Sequence, residues 1–312
     1  MKRSLTAVAG YFGRGNFGDD WLYQAWLNQL NGAENTVEWP RVWPGWLLNR
    51  TIKRAVFLGG LFQDLTSRRS LAWYLLAAAL ARRRAEEGVS FEAASIGPIG
   101  RPMSREWMKR FLSVSASQMR FVVRDEASLE LLRRWAPSVE ARLEPDPTWS
   151  APWPLPSIDP DETIGLLLNG SLRHGDLLQA LSAVAIHPKL AGRLVLILSH
   201  PASDQWQAKW LMRHAGRVWP TIVYRPGGIE EFLSRMNRCR ALISLRLHGA
   251  IAGLRAGRPV AGFEPPGLPG ALEKIRTMAL PPGRRLEWFG AQRRLLDWLE
   301  AGTGILTPKV LS

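Results

Sequence analysis

Cysteine is almost missing from this 312-residue chain. Cys239 is the one thiol, which excludes internal disulfides and any cysteine-built zinc site and fits a buried filler better than a nucleophile. Long apolar runs are missing too. The stretch around Leu75–Leu80 is far shorter than the ~20 residues a membrane helix needs, and it soon meets Arg82. The start, "MKRSLTAVAGYFGRG", has too short an apolar part for a secretory signal, so a cytoplasmic protein is expected. Acids are scarce: 41 Lys plus Arg stand against 27 Asp plus Glu, a net charge of +14 that draws the protein to anions. Nucleic acid, an anionic membrane surface and phosphorylated substrates all fit that charge. There is no short repeat and no low-complexity tract, and a hydrophobic share of 46% supports a sizeable core.

What is present alternates. Short β-branched runs (Leu5–Ala9, Ala55–Leu58, Phe91–Ser95, Phe121–Val123, Arg142–Glu144) are separated by helical periodicity over Asp20–Leu30, Ser70–Glu87, Ser104–Ser115 and Glu126–Trp135. A proline-dense stretch, "EPDPTWSAPWPLPSIDPDE", reads as an interdomain linker. The alternation then restarts with strands near Thr163–Leu168, Arg193–Leu198, Thr221–Tyr224, Ala241–Ser244 and Pro259–Gly262 and with intervening helices, including one over Ala271–Met278. This predicts an α/β protein of two doubly wound domains, residues 1–150 and 151–312, facing across a cleft, with a final helix over 286–300 crossing back.

Candidate functional residues sit where strands end. In "GYFGRGNFGDDW", Gly13, Gly15 and Gly18 permit close backbone approach to a ligand, while Asn16, Asp19 and Asp20 open a helix. The two acids are read either as helix cap and first-turn charge, or as groups that bind or deprotonate a sugar hydroxyl; a purely structural turn is the other reading of the glycines. The spacing is not that of a Walker loop. "FLGGLFQDLTSRRSLAWY" crowds Gln63, Asp64, Thr66, Ser67 and Arg68 beyond a strand, as a cleft cluster or as a capped helix start. Arg124, in "VVRDEASLELL", either enters the cleft or is held by a nearby carboxylate, with Asp125 capping the next helix. Arg173 and His174 follow one strand, His200 and Asp204 another. Arg246 and His248, in "SLRLHGA", alternate in an extended reading and so point to one side. Trp39, Trp43 and Trp46 lie among basic residues in "VEWPRVWPGWLLNRTIKR", a pattern that suits a lipid headgroup layer or, equally, core-plugging tryptophans.

Taken in order, "GRGNFGDDWL", "GGLFQDLTSRRSLAWYL", "SIGPIGRPMSR", "VRDEASLELL", "DPTW", "SLR" and "SLRLHGAIAGLRAGRPV" resemble the polysaccharide pyruvyl transferases, of the type that attaches a pyruvate ketal to a cell-wall polymer for S-layer anchoring. The resemblance implies a GT-B-like fold, phosphoenolpyruvate as donor rather than any bound cofactor, and donor binding by Arg246, Leu247 and His248. No metal is expected. Physical reasoning adds Arg124 and Arg173 as further anion holders, His248 as the acid, and Asp19, Asp20 or Asp64 as groups that position or deprotonate the acceptor. Acceptor contacts are expected from Gly15, Asn16, Asp19, Asp20, Gln63, Asp64 and Arg68. The expected partners are phosphoenolpyruvate, a lipid-linked cell-wall glycan precursor of N-acetylmannosamine type and the anionic inner face of the cytoplasmic membrane. Family members often carry Tyr-Asp-Pro-Lys after this strand; here "FEPPGLPGALEK" puts Leu268 near the lysine position, leaving Lys274 or Arg276 as substitutes. The competing readings are a GT-B glycosyltransferase using a nucleotide sugar, with Glu230, Glu231 or Glu264 on the ribose, and a nucleic-acid binder. The second lacks the expected groove of interleaved aromatic and basic residues.

Overall fold

The computed structural model describes residues 5–30, 35–39, 52–64, 67–115, 118–153, 159–263, 271–289 and 295. The chain forms two compact units. The first holds Met1–Phe12, Trp21–Ala151 and Thr277–Pro281; the second holds Gly13–Asp20, Pro152–Arg276 and Pro282–Ser312.

In the first unit six parallel strands run β1 (Leu5–Ala9), β2 (Asn35–Trp39), β3 (Arg54–Leu58), β4 (Val89–Ala94), β5 (Met119–Val123) and β6 (Glu140–Leu143), in the spatial order β2-β1-β3-β4-β5-β6. The central strands are buried along nearly their whole length, as befits a sheet covered by helices on both faces. The helices are α1 (Phe17–Gln29), whose first turn is counted with the second unit, α2 (Arg68–Arg82), α3 (Pro102–Ser115) and α4 (Glu126–Trp135). Local chemistry sets two of their starts. The Ser67 hydroxyl accepts from the N–H groups of Arg69 and Ser70, and Asp125 caps α4 by accepting from the Ser128 N–H at 2.8 Å.

The second unit repeats the plan with β7 (Ile164–Leu167), β8 (Leu194–Leu198), β9 (Thr221–Val223), β10 (Ala241–Ser244), β11 (Val260–Phe263) and β12 (Glu287–Phe289), in the order β12-β11-β10-β7-β8-β9. Its helices are α5 (Gly175–Ile186), α6 (Pro188–Ala191), α7 (Pro201–Ala215), α8 (Ile229–Asn237), α9 (Leu247–Arg255) and α10 (Glu273–Arg276). Because β10 adds to the other side of β7 from β8, the strand order reverses between β7 and β10. In open α/β sheets that reversal opens a crevice at the strand carboxyl ends where ligands bind.

Three expectations need correction. The helix expected over 286–300 is at its start the strand β12, paired in parallel with β11; from 290 on, all but residue 295 lies outside the described residues. The helix expected over Ala271–Met278 is the single turn α10, and Thr277–Pro281 belongs with the first unit, where Glu126 donates its N–H to the Thr277 carbonyl and Ala279 to that of Arg124. The proline-dense stretch is not only a connection: Asp146 within it is buried and accepts from both the N–H and the hydroxyl of Thr148. No helix among the described residues is long and apolar enough to cross a membrane.

Candidate functional site

The second sheet gathers most of the candidate residues at its reversal point. Asp204, on the first turn of α7, is wholly buried. It accepts from the N–H of Gly170 (3.0 Å), the N–H of His200 (2.9 Å) and the Ser203 hydroxyl (2.8 Å), and it pairs with the Arg246 guanidinium. One carboxylate thereby ties the loops after β7, β8 and β10 together. Arg246 is mounted further by its Nε, which donates to the Leu168 carbonyl at 3.0 Å, and by Nη2, which donates to the Ser203 hydroxyl at 3.1 Å. Asn169 spans the same gap, donating from Nδ2 to the Leu245 carbonyl. Gly170 is required here, because a Cβ would fall 1.6 Å from the Ser203 carbonyl oxygen.

Arg246 and His248 do not alternate along a strand. The strand ends at Ser244, Arg246 is the extended N-cap residue of α9, and His248 already lies in the first helical turn. The helix starts at Leu247 because the Ser244 hydroxyl turns the chain, accepting from the Arg246 N–H and donating to its carbonyl. Leu247 is buried, so only its backbone is available to a ligand. The His248 ring is buried against Gly18: a Cβ there would sit 2.3 Å from Nδ1.

That contact brings in the glycine-rich turn. Gly13 and Gly15 adopt positive φ (70° and 72°), the conformation in which glycine carries no steric cost. Asn16 is the cap of α1, its Oδ1 accepting from the Gly18 N–H while its amide donates to Asp19. Asp20 accepts from the Gly13 N–H and, at 2.8 Å, from the Tyr224 hydroxyl. Burial, and then that bond to Asp20, push the Tyr224 phenol well above its usual range, so it stays a donor. Phe17 packs on Tyr224 and Phe232 and donates its N–H to Ser199.

His200 precedes α7, with Nδ1 3.0 Å from the Ser203 hydroxyl. Burial, and then the nearby Arg246 charge, hold its pKa below the usual 6.5, against the upward pull of Asp204, Asp19 and Asp20. The unfolded chain therefore takes up this proton more readily than the folded one. The stability this confers is present above pH ~6.5 and is lost as pH falls through the folded value. The melting temperature of the wild type is expected to drop more steeply between about pH 7 and 5 than that of His200→Asn; parallel curves would remove His200 from the acid transition. Arg173 stands on the Trp206 ring, its guanidinium carbon 5.2 Å from the centroid. Three helices of this unit, α5, α7 and α9, begin behind His174, His200 and Arg246 with no side-chain cap; α5 and α7 already carry an acid in the first turn, Asp176 and Asp204, whereas α9 carries none, which leaves its N-terminal charge for an anion.

The first unit places its candidates differently. Arg124 is buried and paired with Asp146 at 2.7 Å, with Nε donating to the Ser95 hydroxyl, so the carboxylate-held alternative is the one realised. Asp64 is buried, accepts from the N–H groups of Gly100 and Arg101, and braces the entry to α3. Burial acts to raise its pKa, but those two bonds, the nearby Ser104 hydroxyl and the Arg101 charge outweigh it and hold the carboxyl low, which suits a structural acceptor better than a base. Gln63 is half-buried, and Arg68 is exposed as the first residue of α2. Leu268, Glu264, Trp43 and Trp46 lie outside the described residues. Of the substitutes for the family lysine, Arg276 is exposed and donates to Glu273. His200, Ser203 and Tyr224 carry no role in the sequence reading; only the strand-end position of His200 signals it.

Two doubly wound parallel sheets with a reversal point in each define the class, a GT-B-like α/β protein. Solved structures of the same fold include the UDP-GlcNAc 2-epimerase of Methanocaldococcus jannaschii in complex with UDP-GlcNAc and UDP (11% identity over 96% of this chain and 92% of that one, TM-score 0.56). A glycosyltransferase from Rickettsia africae (11%, 96% and 88%, 0.52) and an uncharacterized protein from Klebsiella pneumoniae (12%, 88% and 86%, 0.52) share it too. At these identities the likeness concerns the fold alone. No curated protein matches the chain in sequence. The family model described as polysaccharide pyruvyl transferase matches residues 16–265, and the chain belongs to that family.

Proposed function

We propose that the protein transfers pyruvate from phosphoenolpyruvate to a pair of hydroxyls on a cell-wall polysaccharide precursor, forming a ketal. The observation that carries this is the reversal point of the second sheet, where Arg246 is held in place at the N-terminus of α9, a helix with no acid in its first turn. A small ligand bearing a carboxylate and a phosphate suits such a place. A proton is added to the donor's methylene carbon, and one sugar hydroxyl attacks the neighbouring carbon. The second hydroxyl then attacks the same carbon, and the bond to the phosphate oxygen breaks. Of the two hydroxyl protons released, one restores the acid and the other leaves with phosphate. His248 is assigned the acid, and His200, neutral at pH 7, is available to accept a hydroxyl proton. Leu247 offers its backbone to the donor and Arg173 a second cation.

Gly15, Asn16, Asp19 and Asp20 are assigned to the acceptor. Asp64 and Arg124 act by holding loops in place. A lipid-linked N-acetylmannosamine-type acceptor places the enzyme at the cytoplasmic face of the membrane, in keeping with the +14 charge. S-layer attachment is the role this reading implies.

The test is ligand protection. Phosphoenolpyruvate is expected to raise the melting temperature, with a smaller shift or none in Arg246→Ala and Arg173→Ala, each measured against its own unliganded value. Protection by a nucleotide sugar and not by phosphoenolpyruvate would favour a GT-B glycosyltransferase instead.

A further inference from the structure

The outer face of α2 and α3 carries apolar side chains that nothing among the described residues covers. On α3, Ser104, Met108, Phe111 and Leu112 turn inward as the buried stripe, which is all the sheet requires. A second stripe, Met103, Trp107, Arg110 and Val114, follows the same helical spacing on the solvent side, with Val114 64% and Met103 52% exposed. On α2 the matching positions are Ala72, Leu76, Ala79 and Arg83, with Leu76 55% exposed. Between the helices lies an open groove of about 380 Å³ whose floor is apolar and whose charged lining is Arg82, Arg83 and Arg110, with no carboxylate among the described residues.

Among the described residues these three arginines form no ion pair. Arg82 donates from Nη1 to the Val114 carbonyl, while its Nε is buried without a hydrogen-bond partner. On the far side of α3 a second open groove of about 490 Å³ adds Lys109 and Arg134, with Glu106 as the one acid among its described residues. An apolar floor ringed by cations fits a surface that is anionic at its edge and hydrocarbon below. A second copy of the chain docked about a two-fold axis would set this ring of arginines against itself.

We infer that the α2–α3 face is the surface by which this protein rests on an anionic lipid bilayer, with Leu76, Trp107 and Val114 at the acyl boundary and Arg83 and Arg110 at the phosphates. It depends on the membrane part of the functional reading above and not on the pyruvyl chemistry, and it stands on residues other than the tryptophans at 39–46.

The full chain is floated with phosphatidylglycerol–phosphatidylcholine vesicles and with phosphatidylcholine alone. Wild type is expected on the anionic vesicles only, and less at high salt. Leu76→Glu with Val114→Glu, and separately Arg83→Glu with Arg110→Glu, are expected to weaken partition about tenfold or more at unchanged melting temperature. Because Cys239 is buried, a solvatochromic dye on Leu76→Cys reports this face in a nearly native protein. Its emission is expected to shift to the blue on anionic vesicles, and a dye on Val218→Cys, 83% exposed in the second unit, is not. Wild type that binds vesicles while the variants bind equally, with an unshifted dye at position 76, overturns this face but leaves a membrane role intact. Wild type that ignores vesicles overturns both, whereas phosphoenolpyruvate protection, measured without lipid, is unaffected. Self-association abolished by Leu76→Glu with Val114→Glu, without vesicle binding, gives the face to a second copy and overturns the inference.

Discussion

Asp204→Ala is expected to destabilise the second unit by about 3–5 kcal/mol, the usual cost of removing one partner from a buried charged pair. The carboxylate is 0% exposed and satisfies two backbone N–H groups, one hydroxyl and the Arg246 guanidinium. Its removal takes the acceptor from two backbone N–H groups, a hydroxyl and a largely buried guanidinium at once. Urea unfolding followed by intrinsic fluorescence measures the loss. Asp204→Asn keeps the shape but substitutes a donor for one acceptor oxygen, so it is expected to fall between the two. A loss below about 1 kcal/mol for Asp204→Ala would show that the loops after β7, β8 and β10 are held together by packing instead.

His248→Gln is expected to lower turnover by ~10²–10⁴-fold, the range that a positioned proton donor supplies, with little change in the KM for phosphoenolpyruvate. Glutamine keeps a hydrogen-bond donor near the imidazole position but has no proton to transfer. Gly18→Ala tests the same ring from the other side. A methyl group 2.3 Å from Nδ1 cannot be accommodated without moving the imidazole, so this variant is expected to share the loss in turnover. If His248→Gln raises the KM and leaves kcat intact, the residue only binds donor, and His200 becomes the next candidate for proton transfer.

Much of this architecture is legible in the sequence because parallel strands buried on both faces write themselves as unbroken apolar runs: "LTAVA", "AVFL", "LVLIL" and "ALIS" all fall within observed strands. Two of the edge strands do not. β2 reads "NTVEW" and β12 is three residues long, inside a segment whose leucine spacing imitates a helix. Caps made by a residue's own side chain, such as Asp125, are local and were readable. Contacts of long sequence separation were not. The partner of Arg124 lies 22 positions away, in a stretch whose prolines announce a linker and hide the one acid that is buried. Likewise the two-residue alternation rule fails at Arg246 and His248 because a hydroxyl at Ser244 starts the helix early, an effect no periodicity records.

The segment Gly13–Asp20 belongs with the second sheet, and its bond from Tyr224 to Asp20 closes a span of 204 residues. Thr277–Pro281 makes the reverse journey to the first unit. During synthesis, then, the first unit can complete its strands while its own entry turn waits for a sheet the ribosome has yet to make. The second unit in turn cannot be released as a continuous fragment beginning at Pro152, because a piece of its site has already been translated at the other end of the chain.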